Sequence, residues 1–419
     1  MTSPGIGAGG QVGIAFEVLA SPVVAGNPTA GGALTAGTYK YYVTAINANG
    51  ESNVSNEVTV TTAAGNLTAA LTWGAVTGAT GYKVYRTAAA GATGTELLIA
   101  TVGLVLLYND VAVGAPAGAF PTINTATVPG TYTAPTKFFP IMSESLQHQQ
   151  ATNFRRPIRK TADIVGAVAG DVHTEGDIEM EALEDVVIWF LYATRSAIIK
   201  TGTTNYSYAC TPTPAAIPTR TLSITVERNG VIFGYTGCVV GSFKFSVDNG
   251  TLMFSVSVVG QDEATQSLPT PSFSTTVPFG AGQYNIQVPT ATQVFDMDTF
   301  EWTCEDNATP QFRMKDTGRG AQFINFGERN LSLSCERDFL NKTDYDLYKA
   351  LTSQSITLVA SKGANNSITL LNAVAFKDSY ELNLSGQGDL IRATINYQLA
   401  IDGSGNSYNI TVKTQENIT

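Results

Sequence analysis

Residues 223–261, SITVERNGVIFGYTGCVVGSFKFSVDNGTLMFSVSVVGQ, decide the fold, because residues 355–398, SITLVASKGANNSITLLNAVAFKDSYELNLSGQGDLIRATINYQ, repeat their pattern. Each stretch reads as strand, turn, strand, and then a long hairpin that closes the unit. In FKFSVDNGTLMFSVSVV the alternation of apolar and polar residues runs cleanly about Asp248-Asn249-Gly250. Period-two alternation marks strands, and Asn-Gly suits a two-residue hairpin turn because both residues accept positive φ. Upstream of each copy lies a further matching pair, GDIEMEALED at 176–185 and RNLSLSCERD at 329–338. Each is an alternating strand leading into a short helix. Such duplication predicts a mainly β chain in which two tandem β-sandwich or barrel domains each carry one short helix.

Composition agrees. The 419 residues are 43% hydrophobic and 14% charged with 40 glycines, which suits several β cores with many turns and suggests two to four domains. The formal net charge of −10 repels nucleic-acid phosphates. The longest apolar run, LLIATVGLVLLY at 97–108, is too short to span a bilayer and reads as buried strands. The N-terminus lacks the basic and apolar regions of a signal peptide. Four scattered cysteines, Cys210, Cys238, Cys304 and Cys335, show no metal-site spacing and read as reduced thiols of a chain that folds in the cytosol.

Residues 25–130 have a separate character. Tyr39, Tyr41 and Val43 alternate on one strand, Trp73 lies on another, and Tyr82, Val84 and Arg86 on the next. The segments GTYKYYVTAINANGES and LTWGAVTGATGYKVYR resemble the final hairpin and the early Trp-bearing pair of a fibronectin type III module, in reversed order, which suggests a circularly permuted Ig-like sandwich. Deleting it would join GIAFEVLASP to APTKFFPIMSES. The expected organisation is therefore an N-terminal arm (1–24), an inserted sandwich (25–130), a first unit (131–275) and a second (276–419), with a Pro, Ser and Thr-rich linker at 265–283. The first helix presents Leu183, Val186, Val187 and Phe190 on one face. The second starts near Thr343, where Asp346 stands three residues on as in a capping box.

Catalytic chemistry finds little support. His148 and His173 have no recognisable nucleophile partner, and GAGG at 7–10 lacks the rest of a phosphate loop. Asp296, Asp298 and Glu301 could serve a glycosidase. No catalytic, cofactor or metal residue is expected. Glu175, Asp177, Glu179 and Glu181 fall on one face of a strand, with Asn330, Ser332, Ser334 and Glu336 in the second copy. That face reads either as a solvated outer surface or as the wall of a channel. The basic run Arg155, Arg156, Arg159 and Lys160 reads as a loop or arm that pairs with acids of a neighbouring subunit, or as a nucleic-acid patch.

GIGAGGQVGIAFE, APTKFFPIMSESLQ and GDIEMEALEDVVIWFLYAT resemble the major tail tube protein of long-tailed, non-contractile bacteriophages. The resemblance implies a β-sandwich or barrel flanked by a helix, with subunit sheets joined into rings and rings stacked into a hollow tube in the virion tail. Two units per chain would make a ring of three chains pseudo-sixfold. It implies further copies of the chain, a tape measure protein and tail terminator or tip proteins as partners, and double-stranded DNA in transit without tight binding. Synthesis and assembly would take place in the host cytoplasm, without membrane insertion. The acidic strand would face the lumen, Arg155–Lys160 would lock ring to ring, and the inserted module would point outward for weak contact with a host surface. A glycan-binding adhesin of sandwich repeats and a glycan-cleaving enzyme stand as alternatives.

Overall fold

A computed structural model describes residues 10–112, 116–156, 163–214, 220–266, 270–289, 291–294, 297–314, 318–383 and 390–418. The fold is mainly β, with two helices among the described residues. The described residues form two compact units, one from 10–16 with those of 130–418 and the other from those of 17–129.

In the larger unit, eight strands form one continuous antiparallel path. They are β1 (Ser143–Glu144), β2 (Gly166–Glu181), β3 (Val231–Asp248), β4 (Thr251–Gly260), β5 (Met297–Glu305), β6 (Asn330–Asp338), β7 (Ser367–Asn383) and β8 (Arg392–Ala400). Their lateral order is β1-β2-β4-β3-β5-β6-β8-β7. The first four belong to one sequence repeat and the last four to the other. The repeats meet where β3 pairs with β5. The β3–β4 hairpin closes on Asn249 (φ 46°) and Gly250 (φ 79°), the two left-handed residues that such a turn requires.

Apolar residues from one side of this sheet build the core. Phe243, Phe245, Phe254, Trp302 and Tyr408 are fully buried and in mutual ring contact. The Trp302 indole N–H donates to Asn372 Oδ1 at 2.9 Å, which satisfies its one polar atom. Helix α1 (Glu184–Tyr192) carries the expected apolar face, but all nine of its residues are buried. Phe16 stacks on Trp189 at 4.2 Å, Phe139 meets Phe190 edge-on at 5.4 Å, and Lys137 Nζ lies 2.8 Å from Asp185.

Helix α2 (Thr343–Lys349) differs from the expectation. The anticipated capping box is absent: Lys342 is the N-cap, without a side-chain cap bond, and the Thr343 amide donates to Asn341 Oδ1. Asp346 instead pairs with Lys342 at 3.5 Å. Asp344 accepts from Arg337 at 2.7 Å and from Lys377 at 3.0 Å, so ionic contacts tie α2 to the sheet. Burial lowers the Lys377 pKa, against the opposing pull of Asp344. The expected linker is not free chain either. Phe279 is wholly buried and its carbonyl accepts from the Leu252 amide.

The smaller unit has two sheets. One pairs 24–29 with 68–73 and 68–73 with 107–110; the other runs 58–62, 37–47, 81–86, 97–102. Tyr41, Val43, Leu71, Trp73, Tyr82 and Val84 share its core. Tyr41 donates to buried Asp110, which Arg86 neutralises at 2.7 Å. The run 97–108 does form strands, Leu97–Val102 and the start of Leu107–Asp110, but Leu104, Val105, Leu106 and Leu107 are exposed. Ile99, Val102 and Tyr108 of the two strands pack against the core, whereas Leu104–Leu107 lie at the connection between the strands, outside it.

Candidate functional site

The side of the eight-strand sheet opposite the aromatic core is polar over its central rows, with Met253, Val259 and Phe376 as apolar members. One register row crosses it without a break: Ser143, Glu179, Ser255, Lys244, Thr303, Ser332, Gln398, Phe376. A flanking row runs Asp177, Ser257, Ser242, Glu305, Asn330. The row between them turns inward and is apolar: Ile178, Val256, Phe243, Cys304, Leu331. Alternation of side-chain direction along each strand, with strands held in register, produces both surfaces at once.

The residues singled out by sequence fall on this face. Glu175, Asp177 and Glu179 are exposed on β2 and Glu181 is half-buried. Asn330 and Ser332 are exposed on β6 and Ser334 is half-buried. The sheet carries both sets on one side, with β4, β3 and β5 between them. Glu301, Glu305, Glu336 and Glu381 add four carboxylates to the same side. Cations there are already paired: Lys244 with Glu301 at 3.2 Å, and Arg392 with Asp298 at 2.5 Å. His173 lies 3.4 Å from Glu175, and Ser143 donates to Glu179 at 3.2 Å. Like charges stacked on one strand tolerate this arrangement because water reaches them.

Of the residues considered for glycan cleavage, Asp298 and Glu301 thus sit in exposed ion pairs, and Asp296 lies outside the described residues. Arg155 ends the strand Gln147–Arg155, opposite Gly166, and Arg156 follows; both are exposed. Arg159 and Lys160 lie outside the described residues. No group of three or more His, Cys, Asp or Glu among the described residues is placed to hold a metal ion, and no described helix is long and apolar enough to cross a membrane.

Sequence reading missed Ser242, Lys244, Ser255, Ser257 and Thr303 as members of the face. Their alternation was visible. What was hidden is that β3 and β5 adjoin, which makes one surface of two.

Residues 122–399 match the family of phage tail tube proteins. That is about two thirds of the chain and takes in all eight strands but the last residue of β8, so this protein belongs to that family. No curated protein matches it. Its role is structural, in the virion tail, and it assembles with itself into tubes.

Proposed function

We propose that three chains close into a ring, that rings stack into the tube of a long, non-contractile tail, and that the polar face of the eight-strand sheet lines the bore. A single observation carries this reading: the two repeats share one sheet and one polar surface. Three chains of eight strands would give twenty-four. At about 4.8 Å between strands and a tilt of about 40°, their backbones would lie on a circle about 50 Å across.

A conduit for DNA must not hold its cargo. Binding to duplex DNA is driven by cations that neutralise phosphates and release counterions. Glu175, Asp177, Glu179, Glu181, Glu301 and Glu305 supply the opposite sign, and Lys244 is occupied by Glu301. Arg155 and Arg156, with Arg159 and Lys160, serve ring-to-ring contact in this reading. The 17–129 unit is a permuted fibronectin type III-like decoration that faces outward and touches the host surface weakly.

Negative-stain microscopy of the pure protein tests the assembly, with tubes of pseudo-sixfold rings expected. Protein that stays monomeric at every concentration and salt overturns it. Exchanging Glu175, Asp177, Glu179 and Glu181 for lysine tests the lining: tubes form, but phage titre falls at least tenfold. An unchanged titre removes these residues from the bore. Deleting 17–129 should lower adsorption and leave the tube intact, and unchanged adsorption removes the outward role.

A further inference from the structure

Three segments far apart in sequence meet at one lysine. Lys137 opens the strand Lys137–Phe139, all of whose residues are buried. Its Nζ lies 2.8 Å from Asp185 Oδ2, in the first turn of α1, and 3.1 Å from Glu416 Oε2. Asp185 is 7% exposed, and its Oδ1 is buried without a hydrogen-bond partner. Its Oδ2 also accepts from Ser274 Oγ at 2.5 Å. Glu416 is held from several sides. Its Oε1 accepts from the Trp189 indole N–H at 3.3 Å, its amide donates to Thr414 Oγ1 at 3.1 Å, and its carbonyl accepts from the Tyr208 hydroxyl at 3.0 Å. A polar cleft of about 430 Å³, lined in part by Thr136, Ser272, Asn366 and Gln415, opens beside the group.

A buried ammonium needs one carboxylate to neutralise it, and Lys137 has two. An amine, a carboxyl group and a second carboxylate in contact are the parts of an amide condensation. We propose that Lys137 Nζ and Asp185 Cγ condense into an intramolecular isopeptide bond, with Glu416 carrying the protons. Glu416 takes a proton from the ammonium, which frees the nitrogen lone pair. That pair attacks Asp185 Cγ, an N–C bond forms, and the carbonyl electrons move onto oxygen. Ser274, donating to Oδ2, steadies the charge there. Glu416 passes its proton to Oδ1, takes a second from the nitrogen and passes that on too. The Cγ–Oδ1 bond breaks and water leaves through the cleft. Ammonium plus carboxylate has become amide plus water, Glu416 ends ionised as it began, and the balance requires no other reactant. Groups fixed in contact reach effective molarities of about 10⁵–10⁸ M, which offsets the reluctance of a carboxylate to be attacked.

Two other lysine–carboxylate pairs lack the second carboxylate. Lys362 lies 2.6 Å from Glu184 Oε2, but the third group there is the Asn366 side-chain amide. Lys377 lies 3.0 Å from Asp344 Oδ1, and the third group is the Arg337 guanidinium. Neither an amide nor a guanidinium accepts the proton, so the bond is assigned to residue 137 and not to these. It closes residues 137–185 into a covalent loop that ties α1 to its strand and restricts the unfolded chain as a disulfide does.

Intact-mass spectrometry of the folded full-length chain, denatured just before injection, reads the bond without any substitution. A mass one water below that of the sequence is expected, and a tryptic digest should hold the Lys137 and Asp185 peptides linked. The full mass, with the two peptides separate, overturns the proposal. Lys137→Arg keeps the cation, removes the nucleophile and should restore the full mass. A water loss that survives it arises elsewhere and overturns the assignment. Glu416→Gln keeps the shape and should also give the full mass; a chain still lighter by one water overturns the part given to Glu416. Lys362→Arg and Lys377→Arg should leave the water loss in place, and a restored mass in either overturns the choice of Lys137. All of these readings are made on single chains, so they stand apart from the outcome for rings and tubes.

Discussion

Phe245 of the first repeat and Trp302 of the second stand opposite each other in register, their ring centroids 6.3 Å apart. The pair sits where two copies of one ancestral pattern become a single sheet. Phe243, also 5.4 Å from Trp302, and Tyr408, at 5.8 Å, extend the contact into one aromatic core. The joint is therefore made by packing on one side and leaves the other side polar.

Trp302→Ala should destabilise the larger unit by about 3–5 kcal/mol, because it removes a wholly buried indole. It also leaves Asn372 Oδ1 without its donor. Trp302→Phe keeps most of the volume and should cost about 1–3 kcal/mol, the cost of the orphaned acceptor. Urea unfolding followed by far-ultraviolet circular dichroism measures both. Equal and small effects would contradict the central place given to this residue.

Two glycines should respond differently to alanine. Gly250 has φ 79°, but an added Cβ would meet Ala281 only at ordinary contact, 3.5 Å. Its cost is backbone strain alone, about 1–2 kcal/mol. Gly176, inside the acidic strand, has φ 154°, and a Cβ there would lie 2.6 Å from the Leu146 backbone. Gly176→Ala must move the main chain as well and should cost more than Gly250→Ala. Thermal melts of the two variants rank them, and the reverse order refutes the argument.

The four cysteines are buried thiols, none of them in a disulfide. Burial pushes the Cys210 thiol from its ordinary 9.0 up to about 12 and also raises Cys304. Native protein at pH 8 should therefore give almost no reaction with a thiol reagent, and all four should react after denaturation. Buried Tyr192 and Tyr208 are likewise raised to about 12 from 10.0. A raised folded-state pKa gives stability that is whole below the unfolded value and lost as pH climbs through the folded one. Stability should thus fall between about pH 9 and 12, as the unfolded chain ionises first. A melting temperature unchanged over that range would contradict the assignment.

Much of this was legible in the chain. Asn249-Gly250 announced its hairpin because the turn chemistry is local. Glu175, Asp177, Glu179 and Glu181 announced a shared face because side-chain direction has period two. Leu183, Val186, Val187 and Phe190 marked α1 by helical spacing. Nothing comparable marked α2 as uncovered. Its apolar residues, Leu347 and Tyr348 with Leu351 just beyond, resemble a buried stripe, but Leu351 is 69% exposed. Leu104–Leu107 misled in the same way: apolar content predicts burial only where a second layer covers it.

The sequence by itself determined the repeat, the strands with their polar and apolar sides, the tight turns and the acidic character of the surface. Each of these follows from residues a few positions apart. Only the tertiary structure decided that β3 adjoins β5 and that the two polar faces are continuous. Strand adjacency is set by hydrogen bonding and core packing between segments more than fifty residues apart, such as Lys244 and Thr303. No short-range pattern encodes which of several equivalent edges will meet.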